Sequence, residues 1–343
     1  QKLPAETQQV LKLAACIGNQ FDLNTLVIVS EQSSANVARA LWKALQEGLI
    51  LPTSQVYKFF QDSDQSEGEN TVNPAYRFLH DRIQQAAYSL IPDDHKQATH
   101  YQIGQLLRNS IPDEALESHI FDLLSQLNAG AGKITDSVEK QALANLNLKG
   151  ALKAKVSTSY AATLKYCHAG IQLLQDDDWE TNYQLALQLH ELATESAYLC
   201  GENQVFEQYF EIILDHAKSD LDRLNVNIIK IQAYTAQNRL IEALEVAKEA
   251  LKKYDVIFPD EISLEDIQQE LKDTQKYFSR FTAEEIAALP KMTDTQSLAV
   301  MRLLLSIIAT AYIADQTLFP LIILKMVQWS LQYGNAPSSP YAY

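Results

Sequence analysis

A succession of helix pairs, each about 40 residues long, constrains the fold of this chain more than any other feature. The clearest pair covers residues 225–254, where Ala243, Ala247 and Ala250 recur along the second helix and let its partner approach closely. Comparable pairs cover residues 182–217 and 147–174. Because one pair cannot bury its apolar faces alone, neighbouring pairs must stack. The pattern predicts a right-handed helical-repeat array, with an ordinary helical bundle as the alternative.

Composition and charge narrow the class further. The 343 residues include only 10 glycines and 10 prolines, too few for the many tight turns of an all-β fold, so we expect an all-α protein. The net charge of −15 repels phosphate backbones and anionic membrane surfaces, so neither nucleic acid nor a membrane is expected as a partner. The most apolar stretch, 298–327, contains Arg302, Asp315 and Lys325 and predicts no membrane span.

The first 90 residues differ from the rest because they combine helices with short strands. Helices are predicted over residues 4–17, after Asp22 and over 35–46, and strands over 49–52, 56–60 and 75–78. The last strand is expected to pair with residues 56–60. Three helices followed by a hairpin is the order of a winged helix. The predicted domains are a small winged-helix domain with a short β-hairpin at 1–90, a helical connector at 91–145, and helical repeats at 146–343, truncated at the C-terminus.

Three tripeptides of the form X-Pro-Asp punctuate the helical region, with their prolines at Pro92, Pro112 and Pro259. Proline disfavours a helical conformation at the residue before it and cannot donate to a continuing helix. Each tripeptide therefore predicts a helix boundary, and the aspartate after the proline is expected to cap the next helix.

A winged helix raises the alternative of a DNA-binding transcription regulator. The third helix would be the recognition helix of such a protein, and it has no basic face. Its cations Arg39 and Lys43 are balanced by Glu31 and Glu47. The expected wing tip, residues 61–70, carries four acidic groups where phosphate would lie. A winged helix that docks on protein is the favoured interpretation.

No catalytic, cofactor or metal motif is present in the sequence. The stretch 128–134 has a Gly-Lys pair but lacks the spacing and the Ser or Thr of a phosphate-binding loop. The histidines show no spacing that would place two metal ligands on one helix face. Cys16, Cys167 and Cys200 are far apart and are expected to be buried, as in a protein of the reducing cytoplasm. We predict a non-enzymatic segment without cofactor.

The helix pairs resemble a divergent tetratricopeptide (TPR) array. A second resemblance is carried by residues 76–92, of sequence YRFLHDRIQQAAYSLIP, together with 120–128, 146–148, 153–155, 325–327 and 333–335. These stretches are similar to the region after the ATPase core in large bacterial sensor kinases. Those proteins join a serine/threonine kinase, a STAND-type ATPase, a TPR-like region, a GAF sensor and a histidine kinase. The resemblance implies a regulatory segment of a two-component signalling protein, excised at both ends, with catalysis in other domains.

In a TPR array the first helix of each pair lines a concave groove, so the repeat register predicts the groove residues. They are Asn145, Lys155, Gln188, Glu191, Glu195, Asn225 and Gln232. Because this lining is polar to acidic, we expect it to bind polar or basic protein segments, from a partner or from other domains of the same polypeptide. A small effector is the alternative ligand, and solvated helix faces with no ligand are the simpler interpretation. An exposed apolar face over residues 318–329 is expected to favour a dimer through the C-terminal helices.

Overall fold

The computed structural model describes residues 3–53 and 73–343. Helices account for 74% of the structure, which confirms the all-α class. The chain divides into two compact units. Unit 1 comprises Gln1–Val156 with Ala169–Gln175, and unit 2 comprises Ser157–His168 with Asp176–Tyr343.

The N-terminal part of unit 1 combines three helices with a small sheet. Its elements are α1 (Ala5–Ile17), β1 (Gln20–Asp22), α2 (Leu23–Ser30), α3 (Ser34–Gln46), β2 (Ile50–Pro52) and β3 (Ala75–Phe78). The sheet is antiparallel in the order β1-β3-β2, with Phe21 opposite Tyr76 and Ile50 opposite Phe78. Leu26, Leu41 and Phe78 are buried between the helices and the sheet, so each element covers an apolar face of another.

Two helices in this region begin at side-chain caps. Ser33 accepts a hydrogen bond from the backbone N–H of Asn36 at the start of α3. Asp22 caps α2 in the same way, through the N–H of Thr25. The strand β1 was not predicted, because three residues with one buried side chain give no alternation to detect. The predicted strand 56–60 and the acidic wing tip 61–70 lie outside the described residues, and β3 pairs with β1 and β2.

The rest of unit 1 is helical. It contains α4 (Asp81–Ser89), α5 (Asp93–Ser110), α6 (Leu116–Gly130) and α7 (Ser137–Val156). The proline boundaries are confirmed, since Pro92 immediately precedes α5 and Pro112 separates α5 from α6. The expected capping by aspartate is wrong. Asp93 already lies inside the first turn of α5, where it pairs with Lys96 across 2.5 Å, and its side chain caps no backbone N–H.

Helices α5 and α6 pack with their backbones close together. A Cβ atom on Gly130 would lie 2.5 Å from the backbone nitrogen of Tyr101, and one on Gly104 would meet the Leu127 side chain at 2.5 Å. Beside this contact, the amide oxygen of the buried Gln126 side chain accepts from His100 Nδ1, and its amide nitrogen donates to the carbonyl of Cys16. Gly130, in the stretch that contains the Gly-Lys pair, therefore serves helix packing.

Unit 2 is built almost entirely from helices. Its elements are α9 (Asp178–Thr181), α10 (Tyr183–Cys200), α11 (Asn203–His216), α12 (Asp220–Ala236), α13 (Leu240–Lys252), α14 (Leu264–Phe278), α15 (Ala283–Ala287), α16 (Thr295–Ala314) and α17 (Leu318–Tyr333). The helix α8 (Tyr160–Ile171) contributes residues to both units. Successive partners α10 and α11, α12 and α13, and α16 and α17 pack on each other.

The predicted helix pairs 182–217 and 225–254 are formed by α10 with α11 and by α12 with α13. Gly201 ends α10 in a left-handed conformation, with φ of 77°, as its position at a turn requires. Ala243, Ala247 and Ala250 are all buried, and they leave the space for the neighbouring helices.

The regular spacing fails after α13. The next pair in contact with α12 and α13 is α16 with α17, which begins only at Thr295. Between them lie α14 and α15, and α14 packs on the outer helix α17. The departure of these helices from the repeat was not predictable from local patterns, because α14 is amphipathic like the repeat helix α13.

The α16 helix is long and strongly apolar. By length and composition alone it could cross a membrane, and among the described residues it is the one helix of which this is true. Half of its most apolar window is buried, and α12, α13 and α17 pack against it. Its apolar character is therefore accounted for by the core of unit 2.

The apolar face of α17 is not exposed, contrary to expectation. Leu318, Ile322 and Met326 are fully buried, covered by α16 and α14. The exposed patch that was expected over residues 318–329 is therefore absent, whereas a dimer through these C-terminal helices stays a prediction.

Candidate functional site

The seven predicted groove residues lie on three helices. Asn145 and Lys155 are on α7, in unit 1; Gln188, Glu191 and Glu195 are on α10, and Asn225 and Gln232 are on α12, in unit 2. None of them is buried. Asn145, Gln188 and Gln232 are exposed and the other four are half-buried, so each sits on a polar side of its helix.

Two of the predicted residues, Glu191 and Asn225, are joined to each other, and a residue that was not predicted, Arg302, bonds to the second of them. The Asn225 side-chain amide bonds to the Glu191 carboxylate. Its oxygen Oδ1 accepts from Arg302 Nη2 at 3.1 Å. The polar chain Glu191–Asn225–Arg302 therefore crosses from α10 to α12 to α16, the first helix of each of three successive pairs.

Arg302 was not among the predicted groove residues, because in the sequence it stands out only as a charge within an apolar stretch. Its neighbours Met301, Leu303 and Leu304 are fully buried, so α16 shows no row of polar residues that would predict a groove. The position of the arginine could have indicated its role, because a single charge among apolar residues must face solvent or a polar partner.

The electrostatics of this site are dominated by Glu191. Burial raises the pKa of its carboxyl group, as do the charges of Asp222 and Glu195, while the Asn225 hydrogen bond and the Arg302 charge lower it. Its atom Oε1 is buried and has no hydrogen-bond partner among the described residues. Through Glu191 Oε1, this face of unit 2 retains hydrogen-bond acceptor capacity.

We expect Glu191→Gln to stabilise the protein by about 0.5–1 kcal/mol at pH 8, because it removes a partly buried charge while the Asn225 hydrogen bond can persist. A raised pKa in the folded state means that folding becomes less favourable as the pH rises from the unfolded value of about 4.3 through the folded value. The gain should therefore disappear near pH 4.

Urea unfolding at both pH values measures this difference. Glu211→Gln, at an exposed position on α11, is the matched control and should change stability equally little at either pH. A Glu191→Gln effect of the same size at pH 4 and pH 8 would contradict the role of burial.

A second polar cluster in unit 2 surrounds Trp179. The indole stacks on His216 with ring centres 4.7 Å apart and contacts His190 at 4.9 Å. His190 Nδ1 donates to the carbonyl of Ala186 at 2.7 Å, and burial lowers the pKa of this histidine. The histidine's hydrogen bond to its own helix and its ring contacts are those of a packed core residue.

The described residues include no candidate metal site, and two of the three cysteines are buried. Within residues 3–53 and 73–343, no three His, Cys, Asp or Glu side chains are placed to hold a metal ion. Cys16 and Cys167 are buried as predicted, whereas Cys200 is exposed, so that expectation is wrong for one of the three. Burial raises the pKa of the Cys16 thiol to about 12, which keeps it protonated.

The third helix of unit 1 offers little to DNA. Lys43 pairs with Glu47 at 3.1 Å, and Arg39 donates to Asn36 on the same helix. The two cations on which a basic face would depend are thus engaged within α3.

The chain is similar along its whole length to one curated protein, "Hybrid signal transduction histidine kinase G" of Dictyostelium discoideum. The two are 25% identical over 406 aligned positions, which cover 100% of this chain and 12% of that protein. No family model matches the chain. No solved structure matches it either. The similarity relates this chain to a segment of a signal-transduction kinase.

Proposed function

We propose that this chain is a non-catalytic regulatory segment of a multi-domain signal-transduction kinase, and that it couples an ATPase or kinase module to a partner or effector that it binds. The similarity to a short part of a hybrid histidine kinase supports the setting, since the chain spans only 12% of that protein. A reducing cytoplasmic location fits three cysteines without a disulfide among them.

In this proposal the N-terminal part of unit 1 is a winged helix that docks on protein. Three observations support it: the helix–strand–helix–helix–strand–strand order, the sheet order β1-β3-β2, and the engaged cations of α3. In STAND proteins, which the sequence resembles, the winged helix packs on the ATPase core. That contact would transmit a change in the repeats to the catalytic module.

Unit 2 is proposed to be a TPR-like array with an insertion. The paired helices, the buried alanines of α13 and the left-handed glycine between α10 and α11 support this assignment. The observation that carries the functional proposal is the polar chain Glu191–Asn225–Arg302, because it runs along the first helices of three pairs, where a TPR groove binds its ligand. The polar to acidic character of the lining favours a basic or polar protein segment.

A lysine-rich and a glutamate-rich peptide of equal length and apolar content provide the test on this chain. We expect fluorescence anisotropy to show that the lysine-rich peptide binds about tenfold more tightly, and that added salt weakens it. Changing both Glu191 and Glu195 to lysine should abolish the preference. Glu245→Lys, on the exposed side of the second helix α13, should leave it intact. Equal or tighter binding of the acidic peptide would refute the proposed groove.

A further inference from the structure

The inserted helix α14 is unusually exposed for a helix of its length. Of its 15 residues, Thr274 alone is buried. It is held to α17 by polar contacts, in which Lys325 pairs with Glu270 at 2.7 Å and Gln328 donates to Thr274 at 2.7 Å. Ile267 adds an apolar contact to the core of unit 2. One side of α14 therefore packs on α17, and most of its other residues face solvent.

An apolar stripe runs along the solvent side of this helix. Leu264 is 75% exposed, Leu271 43% and Phe278 42%. These residues are seven positions apart, a spacing that places them in one line nearly parallel to the helix axis, as at the contact positions of paired helices. At about 1.5 Å per residue the stripe is about 21 Å long. An ordered apolar line of this length is typical of an interaction surface, unlike isolated exposed leucines.

Charges along the helix indicate the partner. Glu261, Glu265 and Asp266 lie at or just before its N-terminal end, whereas Lys272, Lys276 and Arg280 lie in or after its C-terminal half. The one acidic residue in that half, Asp273, pairs with Lys276 at 2.9 Å, so a net positive charge remains there. A second copy of the same helix in antiparallel orientation places each acidic end against a basic end. A parallel copy would place like charges together, which is unfavourable. The surface is therefore complementary to itself in one orientation.

We propose that α14 is a self-association surface, on which a second copy of the chain packs its own α14 in antiparallel orientation. Leu271 lies at the two-fold axis, and Leu264 of each copy packs against Phe278 of the other. Such an interface is isologous and closes as a dimer. Since one helix pair buries less than a standard interface, we expect a dissociation constant on the order of 10 µM. This inference is independent of the groove on α10, α12 and α16.

Sedimentation of the chain over a range of concentrations tests the association. We expect a dimer at high concentration, and at least about tenfold weaker association for Leu271→Glu. Val138→Glu, at a position on α7 that is 70% exposed, makes the same chemical change elsewhere and should have no effect. Leu264→Ser repeats the test at the most exposed position of the stripe in case Leu271→Glu disturbs folding. A wild-type monomer at all concentrations, or a dimer that none of these stripe variants weakens, would overturn the proposal.

Cross-linking tests the orientation, in a Cys200→Ser background that removes the exposed native thiol. With a short bis-maleimide, Leu271→Cys should link to itself, and Leu264→Cys should link to Phe278→Cys in a mixture of the two variants. Leu264→Cys alone should not form a linked dimer, because its two copies would lie about 21 Å apart along the helix pair. Efficient linking of Leu264→Cys to itself would point to a parallel pair and contradict the assignment.

Discussion

Gly130→Ala should lower the free energy of unfolding by about 2–3 kcal/mol or more. The new Cβ atom would lie 2.5 Å from the backbone nitrogen and 2.6 Å from the Cα atom of Tyr101. Backbone atoms in the middle of a helix cannot rotate away as a side chain can, so α5 and α6 must separate. Their separation would also open the buried contacts of Gln126, which bonds to His100 and to the carbonyl of Cys16.

Gly132→Ala is the matched control, two residues away in the same Gly-rich stretch. Its Cβ atom would meet the end of the Gln97 side chain at 2.8 Å, and that flexible amide can move at little cost. We expect less than about 0.5 kcal/mol for this change in urea unfolding followed by circular dichroism. Equal losses for the two variants would show that the close approach of α5 and α6 does not limit stability.

The helical class and most helix positions were predictable because they depend on local patterns. Apolar spacing, caps such as Ser33 and breakers such as Pro92 act within one or two turns of the chain. The strand β1 and the exit of α14 from the repeat depend on distant residues. β1 exists because β3 supplies its hydrogen bonds, and α14 is outside the stack because α16 occupies the position beside α12 and α13.

The candidate site was predictable in part, where it depends on the local register of one helix, and not where it depends on contacts between distant helices. The repeat register placed Glu191 and Asn225 on polar helix sides, and the structure joins them by a hydrogen bond. Arg302 was missed because it lies 77 positions after Asn225 and approaches it only once the intervening chain is folded. The register also grouped Asn145 and Lys155 with the other five residues, a grouping that stays a prediction since those two lie in unit 1.

Removal of unit 2 should raise the nucleotide turnover of the complete signalling protein about tenfold, a coupling typical of regulatory modules. In the proposed account the repeats restrain the catalytic module until a segment binds in their groove. An internal deletion of residues 176–343 is the appropriate change, because it keeps every residue of unit 1, removes the helices α9 to α17 and leaves the domains expected downstream in place. Of unit 2, Ser157–His168 alone remain. A cut at residue 145 would instead divide α7 and disturb unit 1 itself.

The measurement that tests the regulatory role most directly is steady-state ATP hydrolysis by the complete protein and by its deletion variant without residues 176–343. A second form, with Glu191 and Glu195 changed to lysine in the complete protein, keeps the repeats but alters the groove. We expect faster turnover in the deletion variant, and in the complete protein a stimulation by the lysine-rich peptide that the charge-reversed form lacks. Unchanged turnover after the deletion, with no response to the peptide, would identify the segment as a passive scaffold and contradict its proposed regulatory role.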